Sequence, residues 1–143
     1  MNKFKSLLLL VFTFSLFSNI NANEKTVLEL GKPALSVAYS PDGKYVATGS
    51  KTKTRIWSSD TGTLVLELGK PALSLAYSPD GKYLATGSET KTRVWNVANG
   101  KLVLELGKPA LSVTYSPDGK YLVTGSEANT RIWNLNIGDL ILE

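Results

Sequence analysis

A ten-residue string, Val27-Leu28-Glu29-Leu30-Gly31-Lys32-Pro33-Ala34-Leu35-Ser36, recurs from Val65 and again from Val103. The period is 38 residues, and 25 of its 38 positions are identical in all three copies. A unit this short cannot bury a hydrophobic face by itself, so a tandem of such units must stack each copy on its neighbours. The copies run 27–64, 65–102 and 103–140. Whatever one copy folds into, the chain folds into a row of three.

The second copy is the easiest to read. Leu73-Ser74-Leu75-Ala76-Tyr77 alternates large with small, the period of a strand, with Leu73, Leu75 and Tyr77 on one face. Ala72, Ser74, Ala76 and Ser78 fall on the other face, where small side chains suit the close approach of another backbone. Ser78-Pro79-Asp80-Gly81 follows. Proline presets φ for the second turn position and glycine accepts the positive φ after it, so a type I turn with a bulge is expected. Tyr83–Ser88 then reads as the return strand, Thr92–Trp95 as a third and Lys101–Leu106 as a fourth, with Asn99-Gly100 as the turn before it. Outside the first residues no stretch has a helical period. The expected fold class is all-β: three four-stranded antiparallel blades of a partial β-propeller, the architecture that such meanders build when repeated radially. Thr26–Leu30 reads as a fourth strand with no first three before it, and Asp139–Glu143 as the strand that completes the last blade.

The first residues belong to another category. Lys3 and Lys5 precede the apolar run Leu7–Phe17, and all four phenylalanines of the chain lie in the first 17 residues. A polar stretch with Ile20 and Ala22 at the −3 and −1 positions of a cleavage site comes next. This is the layout of a secretory signal peptide over residues 1–22, with cleavage after Ala22 and a repeat domain over 23–143. The expected location is secreted or periplasmic. The run is shorter than the roughly 20 residues that cross a bilayer, so no membrane span is expected after cleavage.

Composition then narrows the chemistry. There is no Cys and no His among the 143 residues, which removes disulfides, thiolate nucleophiles and Ser-His-Asp machinery. Neither a zinc site nor any other cofactor is expected. The net charge of +4 falls to +2 without Lys3 and Lys5, too little to argue for nucleic acid. Asp42, Asp80 and Asp118 stand singly beside Pro and Gly, as turn residues do, whereas calcium wants six to eight oxygens. Nearly every polar group recurs three times, while an active site is a single asymmetric constellation, so no catalysis is expected.

The strings Val37–Tyr45, Ala47-Thr48-Gly49-Ser50 and Thr54-Arg55-Ile56-Trp57, with their equivalents in the other copies, resemble the WD40 repeat family over nearly all of residues 23–143. The departures are consistent. Gly31-Lys32, Gly69-Lys70 and Gly107-Lys108 stand where the family has Gly-His, and Trp57-Ser58, Trp95-Asn96 and Trp133-Asn134 where it has Trp-Asp. The Asp expected before the third strand is also missing. The resemblance implies that the Asp-His-Ser/Thr-Trp hydrogen-bond network of the family cannot form, and that the chain binds a protein or peptide rather than catalysing a reaction.

It also implies where. In that family the link between blades and the loop between the second and third strands form the face on which partners dock. Here these are Lys32-Pro33, Lys70-Pro71 and Lys108-Pro109, together with Lys53, Lys91 and Asn129. The bland alternative is that the links are rigid solvated turns. Trp57, Trp95 and Trp133 read as packing between blades, with an aromatic binding ladder as the alternative. Arg55, Arg93 and Arg131 read as ion-paired within or between blades rather than as an anion site. Three blades fall short of the four to eight of a closed propeller, so a homodimer closing a six-bladed ring is expected, an open fragment being the alternative.

Overall fold

The structure, a computed structural model, describes residues 28–136 and the backbone of 139–142. The expected signal peptide over 1–22 and its cleavage site lie outside the described residues. Among the described residues twelve strands form three separate four-stranded sheets. The first holds β1 (Ser36–Tyr39), β2 (Tyr45–Gly49), β3 (Thr54–Ser58) and β4 (Leu64–Leu68). The second holds β5 (Ser74–Tyr77), β6 (Tyr83–Gly87), β7 (Thr92–Asn96) and β8 (Leu102–Leu106), and the third β9 (Ser112–Tyr115), β10 (Tyr121–Gly125), β11 (Thr130–Asn134) and β12 (Asp139–Leu142). In every sheet the strands lie in chain order, antiparallel throughout. Each sheet is one blade, as the repeat predicts, and the strand limits fall within a residue or so of those read from the second copy.

The register follows from the turns. Gly81 has φ +72°, and its N–H reaches the Ser78 carbonyl at 2.9 Å, while Ser78 N–H bonds the Tyr83 carbonyl at 2.9 Å. Asp80 Oδ1 accepts from Ser78 Oγ at 2.6 Å and from Lys82 N–H at 3.0 Å. The same set recurs at Asp42 and Asp118. The hydroxyl bond, followed by the backbone N–H, holds these carboxyls below the usual carboxylate range, so the turn carries its charge at all ordinary pH. These aspartates are turn residues, and among the described residues no group of three or more potential metal ligands occurs.

Two apolar clusters join the blades. In the first, Ala47, Ile56 and Leu68 of blade 1 meet Tyr77, Leu84 and Trp95 of blade 2. In the second, Ala85, Val94 and Leu106 of blade 2 meet Val113, Leu122 and Trp133 of blade 3, with Tyr115 packed alongside. Each blade thus has a leading face carrying the Tyr, a Leu or Val and the Trp, and blades 1 and 2 a trailing face carrying Ala, a β-branched residue and Leu. The small-residue side of β5 is where the next blade comes close. A Cβ on Gly87 would stand 2.5 Å from the Ala110 carbonyl oxygen and from Ser74 Oγ.

Two expectations need correction. Leu28–Leu30, the described part of the supposed strand Thr26–Leu30, is not a strand, because no β11-like edge lies beside it to hydrogen-bond. And part of the bracing network survives without His or Asp. Trp57, Trp95 and Trp133, each only 7% exposed, donate their indole N–H to Thr48, Thr86 and Thr124 at 2.8, 3.0 and 2.9 Å. The tryptophans are structural; their three rings are buried and form no ladder facing solvent.

Candidate functional site

The links between blades are held by backbone. Lys70 N–H folds back on the Leu68 carbonyl at 2.8 Å, the Lys70 carbonyl accepts from Thr54 Oγ1 at 3.0 Å, and Ala72 N–H reaches the Ser50 carbonyl at 3.0 Å. Ala72 is fully buried. The second link repeats this through Thr92 Oγ1 to the Lys108 carbonyl, 3.1 Å, and Ala110 N–H to the Ser88 carbonyl, 2.9 Å. Pro71 and Pro109 are half-buried, and Pro33 is exposed. The Lys32, Lys70 and Lys108 side chains stand exposed and take no hydrogen bond or ion pair among the described residues. The result is a fixed loop presenting an unengaged ammonium at Lys70 and at Lys108.

The loops between the second and third strands are equally tied. Ser50 Oγ accepts from Lys53 N–H at 3.1 Å and donates to the Lys53 carbonyl at 2.9 Å; Ser88 does the same with Lys91 and Ser126 with Asn129. The side chains of Lys53 and Lys91 reach across to β4 and β8 of their own blades. Lys53 pairs with Glu67, whose other oxygen takes Arg55 Nε at 2.9 Å, and Lys91 pairs with Glu105, which takes Arg93 Nε at 2.9 Å. The bonds from lysine, then arginine, hold both glutamates below their usual range. Such solvated pairs contribute little stability each, but they commit Lys53, Arg55, Lys91 and Arg93 to their own blades. Arg55 and Arg93 are therefore ion-paired within a blade, as the sequence suggests.

Of the residues predicted to bind, Pro71 is brought together with Lys51, Leu73, Ser88, Glu89 and Thr90 around a shallow groove of about 290 Å³. Lys53 and Lys91 do not line it, and Asn129 caps its own loop. Lys51, Glu89 and Glu127 are equivalent positions, basic in the first copy and acidic in the other two. Sequence reasoning missed the Glu67 and Glu105 clamps, although the cross-strand register Arg55↔Glu67 and Arg93↔Glu105 follows once the turn lengths are known.

The family model "WD domain, G-beta repeat" matches residues 25–58, 62–96 and 100–134, more than half of the chain. The chain belongs to the WD40 repeat family. A solved structure described as "Crystal structure of RRP9 WD40 repeats" superposes with a TM-score of 0.68 at 18% identity, over 76% of this chain and 37% of that one. This WD40 chain thus spans little over a third of that protein, and at such identity the likeness shows the fold alone. No curated protein sequence matches it. Members of the family generally serve as non-catalytic platforms for other proteins. Among the described residues of this WD40 chain no helix is long and apolar enough to cross a membrane.

Proposed function

We propose that the chain is an exported interaction scaffold, without catalysis, that binds a protein or peptide through its lysine–proline links. One observation carries this reading. The glutamate clamps commit Lys53, Arg55, Lys91 and Arg93 to their own blades, whereas Lys32, Lys70 and Lys108 stand exposed and unengaged in the links, the last two on backbone held by Thr54 and Thr92. Rigid loops lose little entropy on docking, and ammonium groups spaced at blade intervals fit an acidic or carbonyl-rich segment laid across them. Export is supported by Lys3, Lys5, the apolar run and the Ala22 site. The test is co-purification from the exported fraction, comparing the unaltered protein with a Lys32→Glu/Lys70→Glu/Lys108→Glu variant. The expected result is a chain beginning at Asn23 whose partner is lost in the variant while the thermal midpoint stays put. Equal recovery of the partner by both proteins ends the assignment to the links.

A second reading is self-assembly, with catalysis, if any, on another chain of a larger complex. It is favoured by the leading face of blade 1, where Val37 and Tyr39 are each 69% exposed while Tyr77, the equivalent of Tyr39, is 9% exposed.

A further inference from the structure

We infer that two copies of this chain join head to tail, the trailing face of blade 3 in one docking on the leading face of blade 1 in the other, to close a ring of six blades. This deepens the self-assembly reading and rests on it. The interface is one the molecule already uses twice within itself, since blades 1 and 2 and blades 2 and 3 meet through the same leading and trailing residues. Blade 1 still presents a leading face, with Val37, Tyr39 and Val46, and blade 3 a trailing one, with Thr114, Val123 and Ile132.

The differences between copies at these end faces compensate each other. Leu84 and Leu122, fully buried on the two internal leading faces, become Val46 in blade 1. Ala47 and Ala85, fully buried on the internal trailing faces, become Val123 in blade 3. Leu with Ala becomes Val with Val, smaller on the leading face and larger on the trailing one, so the joint volume changes little, the kind of exchange a packed core accepts. Ser59 and Thr114 replace apolar residues of the internal interfaces, which suits faces that meet solvent before they assemble.

Two further fittings agree. Gly49 and Gly87 each receive an alanine carbonyl of the next blade, from Ala72 and Ala110, at 2.5 Å from where a Cβ would stand. Gly125 is the same position in blade 3, and a Cβ there meets only Ser112, at 3.8 Å. Exposed Ala34, equivalent to Ala72 and Ala110, is the group that would fill it from a second copy. Leu28 lies 3.5 Å from the Cβ position of Gly62, as Leu66 lies 3.0 Å from that of Gly100. The segment Leu28–Leu30 therefore occupies, on blade 1, the place of an outer strand of a preceding blade. In the ring it takes the β11 edge of the second copy, and β12 yields that edge. Two copies give six blades, within the four to eight of propellers, while three would give nine.

Light scattering on the protein purified from its host is the test, with Tyr39→Asp and Gly125→Ala variants whose folding is checked by circular dichroism. Both sites are open in the single chain. The unaltered protein is expected at twice the chain mass, each variant alone at the single mass, and an equimolar mixture of the two again at twice, through the one pairing left intact. A chain lacking residues 139–143 is expected to keep the double mass, and the Lys→Glu link variant likewise, so loss of link binding and loss of the ring are read separately. A single-mass unaltered protein, an open-ended series of larger species, or disruption by Tyr39→Asp but not by Gly125→Ala overturns the ring.

Discussion

A tryptophan bonded to a threonine of the adjacent strand is the smallest unit that explains how these blades hold together without the family's full network. Trp95 contributes apolar area to the cluster between blades 1 and 2 and closes its indole N–H on Thr86 at 3.0 Å, so no polar atom of the ring is left unpaired. The indole needs no histidine for this, because the threonine hydroxyl accepts its N–H directly. Replacing Trp95 by Ala removes both terms at a doubly flanked blade and is expected to cost about 3–5 kcal/mol in equilibrium denaturation. A loss under about 1 kcal/mol, the scale of a surface substitution, would mean that the ring is not packed as described. The same scale explains the inert tyrosines. Burial, with Asp42 and Tyr45 facing it, pushes the Tyr77 hydroxyl well above its ordinary value of 10, and Asp80 and Tyr83 add to burial for Tyr115. Both remain neutral spacers between blades.

The blade as an element was almost entirely legible in the sequence, because its determinants are local. Pro79, Asp80 and Gly81 specify the hairpin, and the alternation of β5 specifies its faces. What the sequence did not give up was pairing across distance: that Glu67 and Glu105 would hold Lys53 and Lys91 depends on a side-chain geometry that strand order alone leaves open. Glycine shows the difference well, since three residues alike in sequence have unlike surroundings. Gly87→Ala forces a methyl onto the Ala110 carbonyl and is expected to cost at least the upper part of about 1–3 kcal/mol seen for overpacking. Gly81→Ala, where the conflict is only a positive φ of 72°, is expected to cost about 1–2 kcal/mol. Gly125→Ala, in the last blade, is expected to leave the stability of the single chain within about 0.5 kcal/mol, as open surface sites do. Chemical denaturation of the three variants gives the order directly, and equal losses at Gly87 and Gly125 would refute the account.

At the scale of the whole molecule, a row of sheets touching only their neighbours distributes its stability unevenly. Blade 2 buries both faces, while blades 1 and 3 each bury one, so opening is cheapest from the ends, as in other repeat arrays whose stability is summed from units and interfaces. Amide hydrogen exchange is therefore expected to be slowest in β6 and β7, whose hydrogen bonds lie between both clusters, and fastest in β1, where Val37 and Tyr39 face solvent. This gradient also bears on the ring. Head-to-tail closure would turn both end blades into interior ones, and protection of β1 would rise toward that of β5 as protein concentration rises. A second copy binding elsewhere would leave the gradient from middle to ends unchanged at every concentration. Uniform protection across the three blades under dilute conditions would show instead that the sheets open as one unit, and that the single chain is more cooperative than its nearest-neighbour packing allows.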